Sequence, residues 1–526
     1  MYQAKIIKSA MVSIAVALFL FANARIPVVA SNNTSGLTEA RSYTTNSAPT
    51  TDEEICYFLN RTTFGIRPGD IEAVKAMGLR AYFNQQLNPQ TIPEAQAVTN
   101  FIGSNETLSM SPLALFVHYG PPAVKAAMQR DNTNNPEDKK EAQKAAHQAA
   151  HEVFKDNARL HIMRALYSPR QLQEVMTDFW FNHFNISADK SLDRFWVGNY
   201  ERTAIRPYTM GRFRDLLGAT CHHAAMLFYL DNWENSVANT NKNGTKFGGL
   251  NENYARELME LHTLGVDGGY TQNDVIQLAK ILTGLGLAPQ GRRALAAGVD
   301  TATGTYFDPK RHDFSDKIFL GQPIRGSGEN EIEQALDILA SNSATARHIS
   351  YQLAQYFVSD QPPASLVRKL TNRYMQTGGN IKAMLQDLFT SNEFWDPQYR
   401  HAKYKNPFRY AMSVLRTANA QPENYDPIIG FLRQQGMPIY GCLTPDGYKN
   451  TEDVWLNPDA LLKRIGFATA IASGHMKGVC PKPFTYDQVG STFSSTLSAG
   501  TQHVIGKAPN QLKLGLLLGS PEFMHY

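Results

Sequence analysis

The longest run of helix-forming residues in the chain is KEAQKAAHQAAHEVFKDNARLHIMRALY, residues 140–167. Alanine, glutamine, lysine and leucine have high helix propensities, so this run predicts one long helix. Shorter segments with helical periodicity recur from residue 52 onward, and several begin at a capping residue or end at glycine. The sequence predicts these shorter helices at 52–64, 70–87, 168–184, 211–230, 251–264, 272–284, 329–340, 343–358, 363–376, 380–391 and 404–418.

Alternation of apolar and polar residues, the pattern of a half-buried strand, is scarce. Only TYFDPKRHDFSDKIFLGQPI (305–324) predicts a short hairpin-like excursion. After Asn419 the composition shifts towards glycine, proline and aromatic residues, which predicts a loop-rich region. We therefore expect a mainly α fold with one large multi-helix domain over 51–418 and a loop-rich C-terminal region over 419–526, packed on that core.

The N-terminal residues have the pattern of a secretory signal. Two lysines precede an apolar run over 10–22 that is too short to span a bilayer, and small side chains follow at Val28 and Ala30. The pattern predicts a signal peptide over 1–30 and a flexible leader over 31–50. We expect an exported protein, periplasmic or extracellular, with no transmembrane anchor after cleavage of the signal.

Charge and motifs exclude several function classes. The formal net charge of +4 falls to +1 once Lys5, Lys8 and Arg25 are removed with the signal, which leaves no basic field for nucleic acid. The sequence has no GxSxG elbow, no phosphate-binding P-loop and no GxGxxG after a predicted strand. Serine-hydrolase, nucleotide-hydrolase and dinucleotide-binding classes therefore lack their motifs.

The four cysteines of the chain are Cys56, Cys221, Cys442 and Cys480. They form no CxxC pair, so a zinc ribbon is excluded. Export would permit disulfides, and we expect Cys442 and Cys480 to pair because they flank one glycine- and proline-rich region. Buried free thiols throughout are the alternative.

Residues 176–185, MTDFWFNHFN, combine four aromatic rings with two asparagines, an aspartate and a histidine. On a helix, Asp178 shares a face with Glu174 and Asn182, whereas His183 points the other way among apolar residues. The helix alone therefore cannot place Asp178 and His183 on one ligand. Either the helix ends early and a loop turns His183 towards a site, or its ring packs in the core.

A second stretch, NENYARELMELHTLGVDGGYT (251–271), forms an acid-rich helical stripe that contains Arg256, with Glu257 on the adjoining flank. His262 follows Glu260 by two residues, a rotation of about 200°, so it faces away from that carboxylate. The HExxH and ExxH metal motifs are absent, and a metal would need ligands from separate segments. The alternative is a buried arginine–glutamate network that braces helices.

A third stretch, FDPKRHDFSDKIFLG (307–321), places Asp308, His312, Asp313 and Asp316 in a turn-rich segment. A histidine beside an aspartate can orient a proton-transfer group or bind a metal, and loops often carry function. Turns stabilised by aspartate side chains, with a surface histidine, are the alternative.

Several motifs in order resemble a large bacterial family labelled domain of unknown function 1800. They are LNRTTFG, FWFNHF, NENYARELMELHTLGVDGGYTQNDV, FDPKRHDFSDKIFLG, ARHISYQLAQYFVSDQPPASLV, NPFRYAMSVLRTA and PDGYKNTEDVW. The resemblance covers about residues 51–525 and implies export, a helical fold and a genomic neighbour that resembles sulfatases. It implies no catalytic residue. The first helix departs from the family pattern, with Cys56-Tyr57-Phe58-Leu59 where relatives usually have His-Leu-Leu.

Our leading hypothesis is a metal-assisted hydrolase or oxidase that acts on an extracellular or envelope polymer, such as a polysaccharide. His183, His262 and His312 would converge to hold a divalent transition metal, and Glu257, Asp313 and Asp178 would supply the catalytic carboxylates. Histidines that face away from their local carboxylates need partners elsewhere, and a shared cavity would provide them. The alternative is a non-catalytic envelope assembly or carrier protein that works with a sulfatase-like exported partner.

Overall fold

The structure is a computed structural model that describes residues 51–120, 136–237, 249–288 and 298–526. The predicted signal peptide and leader lie outside these residues. No helix in the described ranges is both long enough and apolar enough to cross a membrane.

Helices dominate the described residues, which confirms the predicted mainly α fold. The first thirteen helices are α1 (Asp52–Thr62), α2 (Asp70–Met77), α3 (Leu79–Gln86), α4 (Gln96–Ser104), α5 (Pro112–Tyr119), α6 (Pro136–Tyr167), α7 (Gln171–His183), α8 (Asp193–Tyr200), α9 (Phe213–Cys221), α10 (Ala224–Tyr229), α11 (Asn253–Glu260), α12 (Gln272–Ile281) and α13 (Asn330–Ser341). The remaining helices are α14 (Ser343–Phe357), α15 (Ala364–Thr377), α16 (Ile381–Phe389), α17 (Asn392–Trp395), α18 (Pro407–Thr417), α19 (Asp426–Gln434), α20 (Glu452–Trp455), α21 (Pro458–Ala472), α22 (Tyr486–Phe493), α23 (Ala499–Lys507), α24 (Asn510–Leu518) and α25 (Pro521–Met524).

Capping side chains fix several helix starts. Thr51 and Glu54 form a reciprocal capping box at the start of α1. The single helix predicted over 211–230 is wrong, because the chain becomes extended at His223 and divides it into α9 and α10. The His223 ring accepts the backbone N–H of Ala225 and so caps the second of these helices.

The described strands are short. β1 (Leu285–Leu287), β2 (Val299–Asp300) and β3 (Thr305–Phe307) form an antiparallel sheet in the order β1-β3-β2. β4 (Lys317–Phe319) and β5 (Gln322–Ile324) form the hairpin predicted within 305–324. Leu320 and Gly321 both have positive φ at its two-residue turn, as the twist of a tight hairpin requires.

By internal packing the chain divides into two compact units. Of the described residues, unit 1 comprises 51–79, 392–436 and 451–526, and unit 2 comprises those within 80–391 and 437–450. In unit 1, helix α1 packs against the segment around α17: the Tyr57 hydroxyl donates to the Phe394 carbonyl at 2.7 Å, and the Phe58 and Trp395 rings stack at 6.2 Å. That residues 51–418 form one helical domain on which 419–526 packs stays a prediction.

The region after residue 419 combines loops with further helices. Residues 437–450 contain neither helix nor strand, as their composition predicts. All four cysteines are free and buried, so the predicted Cys442–Cys480 disulfide is wrong. Burial raises the pKa of Cys56 and Cys221 to about 12 and that of Cys480 to about 11. The alternative of buried thiols therefore holds.

Candidate functional site

His183 is the last residue of helix α7, inside unit 2, and only 7% of it is exposed. Its ring meets Trp180 and Phe184 edge-on, at centroid distances of 5.4 and 4.5 Å. The Trp180 indole donates to the Thr209 carbonyl at 3.2 Å, which fixes this wall of rings. Because α7 continues to His183, the side chain points into apolar surroundings, as helix geometry predicts.

Both ring nitrogens of His183 have partners within unit 2. Nδ1 lies 2.6 Å from the side-chain oxygen of Gln352, and Nε2 lies 3.0 Å from the backbone carbonyl oxygen of His262. Burial, reinforced by nearby His348, lowers the pKa of His183 to about 3, so the ring is neutral at neutral pH.

A neutral imidazole donates only one hydrogen, and this decides the orientation of Gln352. With Nε2–H of His183 donating to the His262 carbonyl, Nδ1 must accept. The two ends of an amide are assigned from its hydrogen bonds, so we assign the Gln352 nitrogen to His183 and its oxygen to His348. This reverses the orientation that places the oxygen at His183 and the nitrogen 3.0 Å from Nε2 of His348. The result is a chain of neutral groups in which every hydrogen bond has one donor.

His262 lies just beyond the end of α11, where its backbone N–H donates to the Glu257 carbonyl at 3.1 Å. Its ring centroid is 6.1 Å from that of His183, and its Nε2 is buried without a hydrogen-bond partner. Burial and the two nearby histidines lower the pKa of His262 well below its usual value. We call His183, His262, His348 and Gln352 the histidine cluster.

His348 connects this cluster to a groove on the surface of unit 2. The groove has a volume of about 270 Å³. It is lined by Leu264, Gly265, Val266, Asp267, Arg347, His348, Tyr351 and Val367. Gly265 has φ +85°, and a Cβ there would lie 3.0 Å from Nδ1 of His348, so glycine lets the turn approach the ring closely.

His312 takes its partners from a different set of residues. Its Nδ1 lies 2.7 Å from the Thr283 carbonyl and its Nε2 lies 3.0 Å from one oxygen of Glu331, while Lys317 Nζ lies 2.5 Å from the other. The side chains of His312, Lys317 and Glu331 are fully buried. We call these three residues the Glu331 network.

The Glu331 carboxylate is saturated with donors. The backbone amides of Ser327 and Gly328 also donate to it, at 2.7 and 2.9 Å. Burial alone would raise the pKa of Glu331, but the hydrogen bonds from Lys317, His312 and the two amides hold it below its usual value. A carboxylate so fully bonded is a structural group.

The three predicted catalytic carboxylates have different surroundings. Asp313 accepts the backbone and hydroxyl hydrogens of Ser315 and so stabilises a turn, as one interpretation of this stretch expects. The surface histidine of that interpretation is wrong, because His312 is buried. Asp178 accepts the Tyr356 hydroxyl at 3.4 Å. Glu257 is half-buried and makes no side-chain hydrogen bond within the described part of the chain. Burial and neighbouring Glu260 raise its pKa.

The structure thus brings His183 and His262 together, and the third histidine beside them is His348, with its ring centroid 6.2 Å from that of His183. Across the ranges described, no group of three or more histidine, cysteine, aspartate or glutamate side chains could hold a metal ion. The structure therefore gives no support to the predicted metal centre of His183, His262 and His312, which stays a prediction. The expected arginine–glutamate pair exists, between Arg256 and Glu252 at 3.2 Å, but it lies at the surface.

A buried charge cluster centred on Glu201, which is 2% exposed, was not predicted from the sequence. One oxygen of Glu201 lies 2.8 Å from Nδ1 of His161 and accepts the Tyr440 hydroxyl at 2.9 Å. Burial would raise the pKa of Glu201, but His161 and Arg164 hold it at about 2. Glu201 is the first residue of a π-helical turn, Glu201–Ile205. Such turns are common at functional sites.

A second missed group is Asp193, in the first turn of α8. It is fully buried, and neither carboxylate oxygen has a hydrogen-bond partner. Burial raises the pKa of Asp193 well above its usual value, because no partner offsets the cost of a buried charge. An acid in the first turn of a helix is ordinary in a sequence, which is why the pattern gave no signal.

Comparison with known proteins identifies one family. The model of a family described as protein of unknown function (DUF1800) matches residues 57–525, nearly the whole chain. No curated protein and no solved structure matches the chain.

Proposed function

The chain belongs to the DUF1800 family, and from that premise we propose that it is a non-catalytic envelope assembly or carrier protein. In this proposal the protein is exported to the periplasm or the cell exterior and works with a sulfatase-like exported partner. The signal-like N-terminal pattern supports export.

The observation that carries this proposal is that His183, His312 and Asp313 use their polar atoms within the protein. Both ring nitrogens of His183 and of His312 have protein partners. Asp313 likewise bonds within its own turn. A catalytic acid, base or metal ligand needs a polar atom that faces the substrate or the ion. These side chains instead form buried polar networks that hold the helices of unit 2 in register.

A second candidate function is a hydrolase that acts on an extracellular or envelope polymer, and Glu257 favours it. This carboxyl group is half-buried, has no side-chain hydrogen bond among the described residues and has a raised pKa. A carboxyl group with a raised pKa suits general acid catalysis near neutral pH. It needs no metal to act in this way.

The test combines three measurements on the purified mature chain: metal content, hydrolysis of a set of envelope and plant polysaccharides, and co-elution with the co-expressed sulfatase-like neighbour. We expect a folded, metal-free, inactive chain that co-elutes with that neighbour. Stoichiometric metal would overturn the proposal. So would hydrolysis that is lost in Glu257→Gln but kept in the matched exposed variant Glu423→Gln, and that result would establish the second candidate.

A further inference from the structure

The groove beside the histidine cluster has the dimensions of a site for one small molecule. Its volume of about 270 Å³ is close to the lower end of the range of roughly 300–1,000 Å³ for small-molecule pockets. The turn after α11 forms one wall, and residues of α14 and α15 form the others. A single amino acid or sugar ring would fill it, whereas a long polymer would extend beyond it.

The groove presents one cation and one anion that no described residue neutralises. Arg347 and Asp267 both line it and both are exposed. Neither side chain makes an ion pair or a hydrogen bond with any residue the structure describes, and they do not pair with each other. Opposite charges held apart along one groove match a ligand that carries both charges.

Two further polar groups face the ligand space. Nε2 of the His348 ring lies 3.3 Å from the Leu261 carbonyl oxygen, which can only accept. In the neutral ring Nε2 therefore carries the hydrogen, and Nδ1 beside Gly265 is an acceptor. The hydroxyl of Tyr351 has no partner among the described residues. The apolar part of the lining comes from Leu264, Val266 and Val367, and Val266 is 68% exposed.

We propose that this groove binds a zwitterionic α-amino acid with an apolar side chain. Arg347 and the Tyr351 hydroxyl receive the carboxylate, Asp267 and Nδ1 of His348 receive the ammonium group, and the aliphatic lining covers the side chain. A simple carboxylate would place its charge near an unpaired Asp267, and a simple amine would leave Arg347 unused. Only the zwitterion gives both the two charged side chains and the two neutral polar groups of the groove a binding partner. This site goes beyond the proposed function and does not depend on it.

The test is isothermal titration of the full-length mature protein with L-leucine and two matched probes. N-acetyl-L-leucine lacks the ammonium charge and L-leucinamide lacks the carboxylate. We expect L-leucine to bind and each probe to bind at least tenfold more weakly. An absence of binding heat with L-leucine, or a probe that binds as tightly as L-leucine, would overturn the proposal.

Variants then assign the two charges. Arg347→Gln and Asp267→Asn should each weaken L-leucine binding at least tenfold, whereas the exposed controls Arg325→Gln and Asp215→Asn should leave it unchanged. Asp267→Asn should not weaken N-acetyl-L-leucine further, because that probe has no ammonium group to lose. All four residues are exposed, so the variants are expected to fold. Equal losses in the variants and their controls would refute the assignment.

Discussion

Nε2 of His183 lies 3.0 Å from the backbone carbonyl oxygen of His262, so one buried histidine holds the turn that carries the other. The same turn continues directly into residues 264–267 of the groove. His183 lies at the end of α7 and His262 just beyond the end of α11. This hydrogen bond therefore connects the end of α7 to the turn after α11, which forms one wall of the proposed ligand site.

The histidine cluster predicts a loss of stability in mild acid. The pKa of His183 is about 3 in the folded protein and about 6.5 in an unfolded chain. Below about pH 6.5 only the unfolded state binds the proton, so the free energy of unfolding falls as the pH falls towards 3. Between pH 7 and pH 5 this one residue should cost about 2 kcal/mol.

The variant His183→Gln removes this titration and keeps an amide donor for the His262 carbonyl. Urea unfolding at pH 7 and pH 5 should show a smaller acid loss in this variant than in the wild type. His151→Gln, at an exposed position on α6, is the control and should behave as the wild type does. An acid loss of the same size in all three proteins would contradict the prediction.

We expect the contributions of Lys317 and Glu331 to the free energy of unfolding to be strongly coupled. Glu331→Gln removes the closest anion from the buried lysine, which keeps only Asp313 at 3.8 Å, and Lys317→Met removes the closest cation from the buried carboxylate. Each single variant should lose about 3–5 kcal/mol of unfolding free energy. The double variant should lose less than the sum of the two, as measured by urea denaturation in a double-mutant cycle. Additive losses of unfolding free energy would show that Lys317 and Glu331 stabilise the protein independently of each other.

We expect the variant Asp193→Asn to be more stable than the wild type. The folded pKa of this carboxyl group is raised, so only the unfolded state ionises above about pH 4, and the stability of the wild type falls as the pH rises. Asp193→Asn has the same shape and does not titrate. Its advantage should grow by up to about 1.4 kcal/mol for each pH unit above 4 until the folded carboxyl group ionises. Thermal unfolding across pH 4 to 8 measures this, with Asp215→Asn as the exposed control, and a constant difference would refute it.

We expect thiol reagents to react slowly with the four buried cysteines of the native protein. Thiolates are the reactive form, and burial raises the pKa of each cysteine. A thiol reagent such as dithionitrobenzoate should modify less than one group per chain in the native protein and four in urea without reductant. Two reactive thiols in urea would mean that a disulfide forms after all.

Local signals account for the part of the fold that sequence analysis predicted. The starts and ends of helices such as α12, α14 and α18 follow from caps and periodicity within a few residues. The break between α9 and α10 was missed because it depends on one histidine acting as a helix cap, and histidine is rarely a cap.

The site was predicted only in part, for a physical reason. Helix geometry indicated that His183 and His262 face away from their own acids, and the two do meet. The third member is His348 rather than His312, since packing of α14 against the turn after α11 decides that contact and no local spacing encodes it. The charge cluster joins Glu201 to residues 40 and 239 positions away, which is beyond any motif.

The discontinuity of unit 1 also sets an order in time. The Tyr57 hydroxyl and its acceptor are 337 residues apart in the chain. At a synthesis rate of about 5–20 residues per second, helix α1 waits roughly 17–67 s for Phe394 to emerge. Until then its apolar face has no partner from α17, although nearly all of unit 2 has already been made. A chain that stops before residue 392 therefore lacks the segment on which helix α1 packs in unit 1.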